Sequence, residues 1–313
     1  MNIIKNRYLY FLISLLVIIP GVVFMILNWM NPQVRAPLPL GIDFASGSLL
    51  EVQFTGTRPT GADIQGAYLG IAPGTDPVVQ ALGEDSYSIR SKTIDDATKG
   101  KIVAEFEKIS GSPVNTLEFS SVSASVGAEV TRAAGFAILL AAAAILGYIW
   151  FAFRGVDHAF RYGTAAILAM LHDVLVVIGV EAILGYTLHW EADALFLTAL
   201  LTVIGFSVHD TIVVFDRIRE NSHVYRRVDY ETLVNHSIVQ TLDRSINTQL
   251  TVMFTLFALV LFGGDSIRHF VTILLVGIFS GTYSSIFNAS PILVVWENRE
   301  WKNWFKRSEQ VQA

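Results

Sequence analysis

The sequence predicts a polytopic α-helical membrane protein with six transmembrane helices and one external α+β domain. Of its 313 residues, 52% are hydrophobic and only 16% are charged, and the mean hydropathy is +0.50. This composition lies outside the range of ordinary soluble proteins. Six apolar stretches are long enough to cross a bilayer, and one long polar segment, residues 31–132, separates the first two of them.

The spans are predicted from their length, because crossing the hydrocarbon core takes about 20 mostly apolar residues. We expect them at Tyr8–Asn28, Ala133–Phe153, Tyr162–Leu184, Ala194–Phe215, Ile246–Phe262 and Phe270–Trp296. Lys5 and Arg7 precede the first run as they would in a signal peptide, but the run is long and no small-residue cleavage site follows it. The first span is therefore predicted to be a retained anchor.

The positions of Lys and Arg in the short loops predict the orientation, since these residues collect on the cytoplasmic side. They occur before span one, between spans two and three, between spans four and five, and after span six. The opposite short loops contain only Arg268. We therefore expect membrane segments at 1–30 and 133–296, a tail at 297–313, and both termini in the cytoplasm.

Residues 31–132 have a composition that suits one small folded domain. The patterns predict strands at Ser48–Thr55, Pro77–Leu82, Tyr87–Ser91 and Val114–Val122, and helices at Thr60–Leu69, with Thr60 as N-cap, and Ile94–Ile109. The order β-α-β-β-α-β is that of a ferredoxin-like unit. The residues that these periods place on common faces form the expected core: Leu50, Val52, Phe54, Ile64, Ile102, Phe106, Ile109, Leu117 and Phe119.

Composition and motifs exclude several classes of function. With 22 Lys and Arg against 27 Asp and Glu, the net charge of −5 leaves no basic surface for nucleic acid. The absence of Cys excludes thiolate catalysis and Cys-ligated zinc. There is no zinc-protease or phosphate-loop motif, and the Gly-x-Gly-Asp context of membrane aspartyl proteases is missing. We therefore predict a protein that is not an enzyme and binds no metal or cofactor.

Ionisable residues inside the spans are the candidate functional groups, because a charge at the middle of a membrane helix costs about 2.5–3.5 kcal/mol. His172 and Asp173 lie near the centre of span three, and His209 and Asp210 lie in the cytoplasmic half of span four. Glu181, about two turns beyond Asp173, is interpreted as an ordinary residue near the external interface. His172 is interpreted as a hydrogen-bonded packing residue.

Asp210 is the strongest of these candidates. Ser207, His209 and Thr211 lie within one helical turn of it and could hydrogen-bond the carboxyl group in either protonation state. Asp210 could therefore act as a proton switch, or it could stay ionised and fix helix packing through an Arg. Arg244 opens span five, where an anchor reaching toward the headgroups is the simpler interpretation.

Four motifs in order resemble those of the SecD/SecF family of protein-export membrane proteins, within the resistance–nodulation–division superfamily. They are Gly41-Ile42-Asp43-Phe44, Leu171-His172-Asp173-Val174, the stretch from Ile204 to Asn221, and Arg244-Ser245-Ile246-Asn247-Thr248. Two positions differ from the family pattern. His209 stands where Asn is usual, and Ser46-Gly47 stands where Gly-Gly is usual.

The resemblance implies one half of a pseudo-symmetric pair with a separate SecD chain in the bacterial inner membrane. Such a pair uses the proton motive force to assist preproteins through the SecYEG channel after SecA has acted. Asp210 and Arg244 fall on the positions that the family uses for proton conduction, together with a transmembrane Asp of SecD. Gly41 and Asp43 lie at the root of the external domain. Polar neighbours with supporting roles would be His209, Ser207, Thr211, Asp173, His172 and Asn247.

Two alternatives remain open. A proton-coupled exporter of small molecules from the same superfamily would also have aspartates within its spans, although the external segment here is too small for large porter domains. A purely structural scaffold for SecD and the channel would tolerate Asp210→Asn, whereas a proton carrier would not.

Overall fold

The computed structural model describes residues 2–32, 34–154, 159–225 and 227–302, except for the side chains of residues 265, 266 and 301. Most of the predicted tail, 297–313, therefore lies outside the described residues. Within them the chain forms two compact units, a helical unit and an α+β unit that runs from Leu40 to Phe136.

The helical unit contains six helical segments that are long and apolar enough to cross a membrane, which confirms the predicted fold class. Four of these are single helices. Span one begins with a 3-10 turn at Ile4–Asn6, and span six consists of two helices joined by a π-helical turn at Ser285–Ala289. In chain order the helices that contribute to this unit are α1 (Arg7–Met30), α5 (Ala124–Phe153), α6 (Ala159–Leu188), α7 (Ala194–Val224), α8 (Tyr230–Phe262), α9 (Asp265–Ser284) and α10 (Ser290–Glu297). The first part of α5, up to Phe136, belongs to the α+β unit.

Helices α6, α7 and α9 form the centre of this unit, while α1, α5 and α8 remain largely exposed. Two glycines allow α1 to cross α6 closely, since a Cβ at Gly21 would lie 2.5 Å from the Cα atom of Gly179. The π-helical turn directly precedes Ser290 and Pro291 in α10. Proline has no backbone N–H, so the regular hydrogen-bond ladder is interrupted there.

Helix α8 begins at Tyr230, well before the predicted start of span five at Ile246. Asp229 caps it by accepting a hydrogen bond from the backbone N–H of Thr232 at 2.9 Å. The early turns are amphipathic, with Leu233 and Val234 buried among polar neighbours. A hydropathy window does not detect such turns because their average is not apolar.

The α+β unit is a four-stranded antiparallel sheet with strand order β2-β3-β1-β4, the order of a ferredoxin-like fold. Its strands are β1 (Gly47–Phe54), β2 (Val78–Leu82), β3 (Ser86–Ser91) and β4 (Val114–Val122), and its helices are α2 (Ile42–Ala45), α3 (Gly61–Ile71) and α4 (Asp96–Ser110). Thr60 caps α3 as predicted, in a reciprocal capping box with Asp63. The described residues just before Leu40 belong to the helical unit instead, where Ala192 N–H donates to the carbonyl of Pro39 at 2.8 Å.

For two residues of this unit, the prediction that they lie in the core is wrong. Leu117 is 53% exposed because it is the extra residue at a register shift: Glu51 pairs with Glu118 and Val52 with Thr116, so the strand alternation changes at that point. Ile109 is 43% exposed because the inward positions of α4 follow Ile102 and Phe106 at a spacing of four and reach Ser110 instead. The remaining predicted residues are buried in the core cluster or pack against it.

We expect residues 31–132 expressed alone to fold without a bound cofactor. The difference in burial between Phe106 and Leu117 predicts how two substitutions change the stability of this fragment. Phe106 is fully buried, so Phe106→Ala should lower the free energy of unfolding by about 3–5 kcal/mol. The exposed Leu117→Ala is the matched control and should change it by less than about 0.5 kcal/mol. Urea unfolding followed by circular dichroism measures both, and equal losses would contradict the register shift in β4.

Candidate functional site

Asp173 of α6 is the centre of a buried polar cluster inside the helical unit. Its side chain is fully buried. Oδ2 accepts hydrogen bonds from Ser207 of α7 at 2.5 Å and Ser284 of α9 at 2.6 Å, and Oδ1 accepts from Ser280 of α9 at 2.7 Å. His172 Nδ1 lies 3.0 Å from Oδ1. One carboxyl group therefore joins the three central helices.

Close approach of α9 to α7 makes these short serine contacts possible. Ser280 and Ser284 are one turn apart and share a face of α9. Gly281 lies between them, and a Cβ there would be only 3.3 Å from the Cα atom of Ser207. A larger residue at 281 would force the two helices apart.

Asp210 of α7 forms a second, separate carboxyl site. It is 4% exposed, and its Oδ2 accepts a hydrogen bond from Gln249 Nε2 of α8 at 2.5 Å. His209 Nδ1 lies 3.8 Å from Oδ1, and the His209 side chain is 69% exposed. Among the described residues, no Lys or Arg forms an ion pair with Asp210. The carboxyl group therefore has mainly neutral partners.

The predicted hydrogen bonds from Ser207 and Thr211 to Asp210 are wrong. Ser207 donates to Asp173, and Thr211 donates to the carbonyl of Ser207 at 3.0 Å and lies 2.9 Å from Ser285 Oγ. Ser207 and Thr211 are four residues apart, so they share the face of α7 that meets α9. Asp210 points instead toward α8.

Arg244 does not contact Asp210. The buried polar positions of α8 are Ser237, Thr241, Ser245 and Gln249, which repeat every four residues. Arg244 is one residue before Ser245 and thus about 100° around the helix axis, where its side chain is exposed. In the part of the chain that the structure describes, the two positions that the resemblance assigns to proton conduction are therefore not in contact with each other.

Gln249 is a site residue that the sequence interpretation missed. The available signal was its position eight residues after Thr241 and four after Ser245, which places all three on one face. Its carbonyl oxygen Oε1 is buried and has no hydrogen-bond partner among the described residues. Asn247, predicted as a supporting residue, lies on the exposed side of α8.

Several polar side chains of spans four and five are exposed on the helical unit, and three of them are considered together. We call His209 of α7 together with Arg244 and Asn247 of α8 the uncovered polar strip. Charged and strongly polar groups within membrane helices face a protein interior or a water-filled cavity rather than lipid. The uncovered polar strip therefore marks a surface that needs a covering partner or water.

Gly41 and Asp43 lie in the α+β unit. The carbonyl of Gly41 accepts hydrogen bonds from the backbone N–H groups of Phe44 and Ala45, which begins α2, the helix that contains Asp43. The following Ser46 and Gly47 have φ values of 61° and 127°. Such positive φ values favour glycine, so these two residues form the turn in which the family usually has Gly-Gly.

Glu181 differs from its interpretation as an ordinary interfacial residue. It is fully buried, and its Oε2 lies 2.7 Å from His269 Nε2 of α9. Among the described residues, no group of three or more His, Asp or Glu is arranged to hold a metal ion.

Three buried carboxyl groups inside a bundle of six spans, with one ferredoxin-like unit in the same chain, define a multi-pass membrane protein whose interior contains titratable groups. The family model described as protein export membrane protein SecD/SecF, C-terminal, matches residues 101–299, and the SecD/SecF GG motif matches residues 35–57. The chain belongs to the SecD/SecF family of protein export membrane proteins. The resemblance seen in the four motifs is thereby confirmed.

Individual relatives agree over nearly the whole chain. Protein translocase subunit SecF of Anaerolinea thermophila is 54% identical over 98% of this chain and 97% of its own length. The SecF subunit of Thermobaculum terrenum is 48% identical over 100% of this chain and 99% of its own length.

Solved structures of longer relatives have the same fold. The crystal structure of SecDF from Thermus thermophilus, a translocon-associated membrane protein, is 30% identical with a TM-score of 0.77 over 96% of this chain. A structure of SecDF in a super-membrane-facing form is 29% identical with a TM-score of 0.66 over 97% of this chain. The chain spans 39% of the length of each of these SecDF chains.

Proposed function

We propose that this chain is the SecF-like subunit of a SecD–SecF complex in the bacterial inner membrane, with both termini in the cytoplasm. The complex would use the proton motive force to assist preproteins through SecYEG after SecA has acted. The two SecF relatives support this assignment through their identity and their nearly complete mutual coverage. No covalent chemistry is needed, so the proposed subunit is not an enzyme.

The observation that best supports proton coupling is the pairing of Asp210 with a neutral amide. Gln249 Nε2 donates to the carboxylate, while its own Oε1 has no partner among the described residues. A rotation of the Gln249 side-chain amide by about 180° would exchange the positions of Nε2 and Oε1. Oε1 would then accept a hydrogen bond from the O–H of protonated Asp210. Gln249 can therefore stabilise Asp210 both in its ionised form and in its protonated form.

The uncovered polar strip supports SecD as the covering partner. A SecDF protein of Bacillus subtilis is 34% identical over 95% of this chain, which covers 38% of that longer protein. We propose that SecD covers the exposed faces of α7 and α8 and that Arg244 meets a carboxylate of SecD there. Arg244 would then act across the subunit boundary rather than on Asp210 within this chain.

The available energy suits a conformational mechanism. One charge crossing 100 mV releases about 2.3 kcal/mol, which can bias a two-state movement of helices by roughly fiftyfold. Protonation and deprotonation of Asp210 would change the α7–α8 contact through Gln249. Helix movement in the membrane would then be passed to the α+β unit through the chain that joins them.

Inverted membrane vesicles that contain SecYEG and SecD test this function. With SecA and ATP supplied, preprotein import should be faster when a proton gradient is present, and this stimulation should require the full chain. An exporter of small molecules would leave preprotein import unchanged when the chain is removed. A stimulation that is equal with and without the chain would contradict the proposal.

A further inference from the structure

A second titratable pair lies inside the helical unit, away from both aspartates. Glu181 Oε2 and His269 Nε2 are 2.7 Å apart. Glu181 is fully buried, and its Oε1 has no hydrogen-bond partner among the described residues. His269 is 17% exposed and its ring centroid lies 4.7 Å from that of Trp190. The imidazole therefore stands between the buried carboxyl group and the surface.

The pair lies at the end of the helical unit from which the chain continues out of α1 into the α+β unit. Asn28, in the last turn of α1, donates to the carbonyl of Ala182 at 3.1 Å, next to Glu181. On the proposed topology this end faces the external side. Glu181 is eight residues from Asp173 along α6, a rise of about 12 Å.

An apolar layer separates the two carboxyl groups along the helices. Val177 lies between Asp173 and Glu181 on α6, and Ile273 lies between His269 and Ser280 on α9. Both are fully buried in one core cluster with Val203 of α7. A proton that reached Glu181 from outside would be stopped there until this layer opened.

We propose that Glu181 and His269 form a second proton-binding site, which takes up protons from the external side before they reach Asp173 and Asp210. An external proton binds His269 Nδ1, the Nε2–H bond breaks, and an O–H bond forms on Glu181. The imidazole is left neutral with its proton on Nδ1. Glu181 then holds the proton at the apolar layer, while its buried Oε1 has no hydrogen-bond partner among the described residues.

Other charged or titratable groups lie at this end of the helical unit and could affect proton binding by the Glu181–His269 pair. The test therefore needs a control variant at one of them. Tyr186 and His189 follow Glu181 on or after α6, Arg268 precedes His269 on α9, and Arg35 lies in the segment after α1. Glu191 and Asp193 precede α7, and Asp193 caps it by accepting from the N–H of Phe196 at 2.7 Å. Asp193→Ser keeps a capping side chain and removes one carboxylate, so it is the matched control.

Fluorescence of Trp190 in the purified full chain tests proton binding directly. A protonated imidazole in contact with an indole quenches its emission, so the difference between the wild type and Trp190→Phe should titrate with pH. Glu181→Gln should shift this titration and His269→Gln should abolish it, while Asp193→Ser should leave it in place. Superimposable titrations of the wild type and Glu181→Gln would overturn the proposal.

The functional arm rests on the proposed proton coupling and uses the same vesicle assay. Glu181→Gln keeps the shape of the side chain but cannot carry the proton, so most of the gradient-dependent stimulation should be lost at normal protein levels, with Asp193→Ser unaffected. Full stimulation by Glu181→Gln, together with loss in Asp210→Asn, would overturn this second site and leave the proposed function standing. Full stimulation by both variants would reject the proton path as a whole.

Discussion

Asp210→Asn is expected to abolish the stimulation of preprotein import by a proton gradient while leaving ATP-driven import intact. Asn has nearly the shape of Asp and can still bond with Gln249, so the α7–α8 contact should persist. It cannot gain or lose a proton, and the cycle would stop in the state that resembles protonated Asp210. Import into inverted vesicles, with and without the gradient, measures the effect.

Asp243→Asn is the matched control for this experiment. Asp243 is an exposed carboxylate on α8, within two turns of Gln249, so its loss removes one charge without touching the Asp210 site. The control should retain full stimulation. If Asp210→Asn also retained full stimulation at normal protein levels, Asp210 would have to be reassigned to helix packing. That result would favour the hypothesis of a structural scaffold.

The second large effect is expected at Asp173, where it concerns stability. Asp173→Ala removes the acceptor of three serine hydroxyls and the partner of His172. Hydrogen bonds between membrane helices are worth about 0.6 kcal/mol each on average, so the total loss should be about 2 kcal/mol. The loss stays moderate because serine hydroxyls in helices can turn back to carbonyls of the preceding turn.

Thermal unfolding of the full chain in detergent measures this loss. Ser280→Ala removes only one of the hydrogen bonds and should cost about 0.6 kcal/mol. Asp173→Asn should also be mild, because its carbonyl oxygen still accepts and serine hydroxyls can accept from its amide. An Asp173→Ala protein as stable as the wild type would show that the cluster adds nothing to helix packing.

The sequence predicted the fold well where one physical signal dominates. Length and hydropathy decide whether a segment such as Ala194–Phe215 can cross a bilayer, and no tertiary information is needed. The strand Val114–Val122 was likewise predicted with its observed ends. The start of α8 was missed because its first turns are amphipathic and give a weaker average signal than the span that follows.

The contacts of the site could be predicted only in part. Periodicity placed polar residues near Asp210 in the sequence, but which face of α7 meets α8 and which meets α9 depends on how the helices pack. For that reason Ser207 proved to be a partner of Asp173. The exposure of Leu117 could not be predicted for a similar reason. A register shift depends on how two strands pair, and the alternation of apolar and polar residues within one strand does not show it.

Long-range pairs such as Glu181 with His269 were beyond prediction. The two residues are 88 positions apart, and neither has a neighbour in the sequence that points to the other. A buried carboxylate without a nearby cation is costly, which is a reason to search for a partner but does not say where it lies.

The most direct test of the central claim is to observe the proton on Asp210. Infrared difference spectra of the full chain with its SecD partner, recorded as the pH is changed, report the carbonyl band of protonated carboxyl groups. We predict a band that appears on acidification of the wild type and is missing in Asp210→Asn. Identical spectra for the wild type and Asp210→Asn across the whole pH range would mean that Asp210 does not exchange a proton, and would contradict the account.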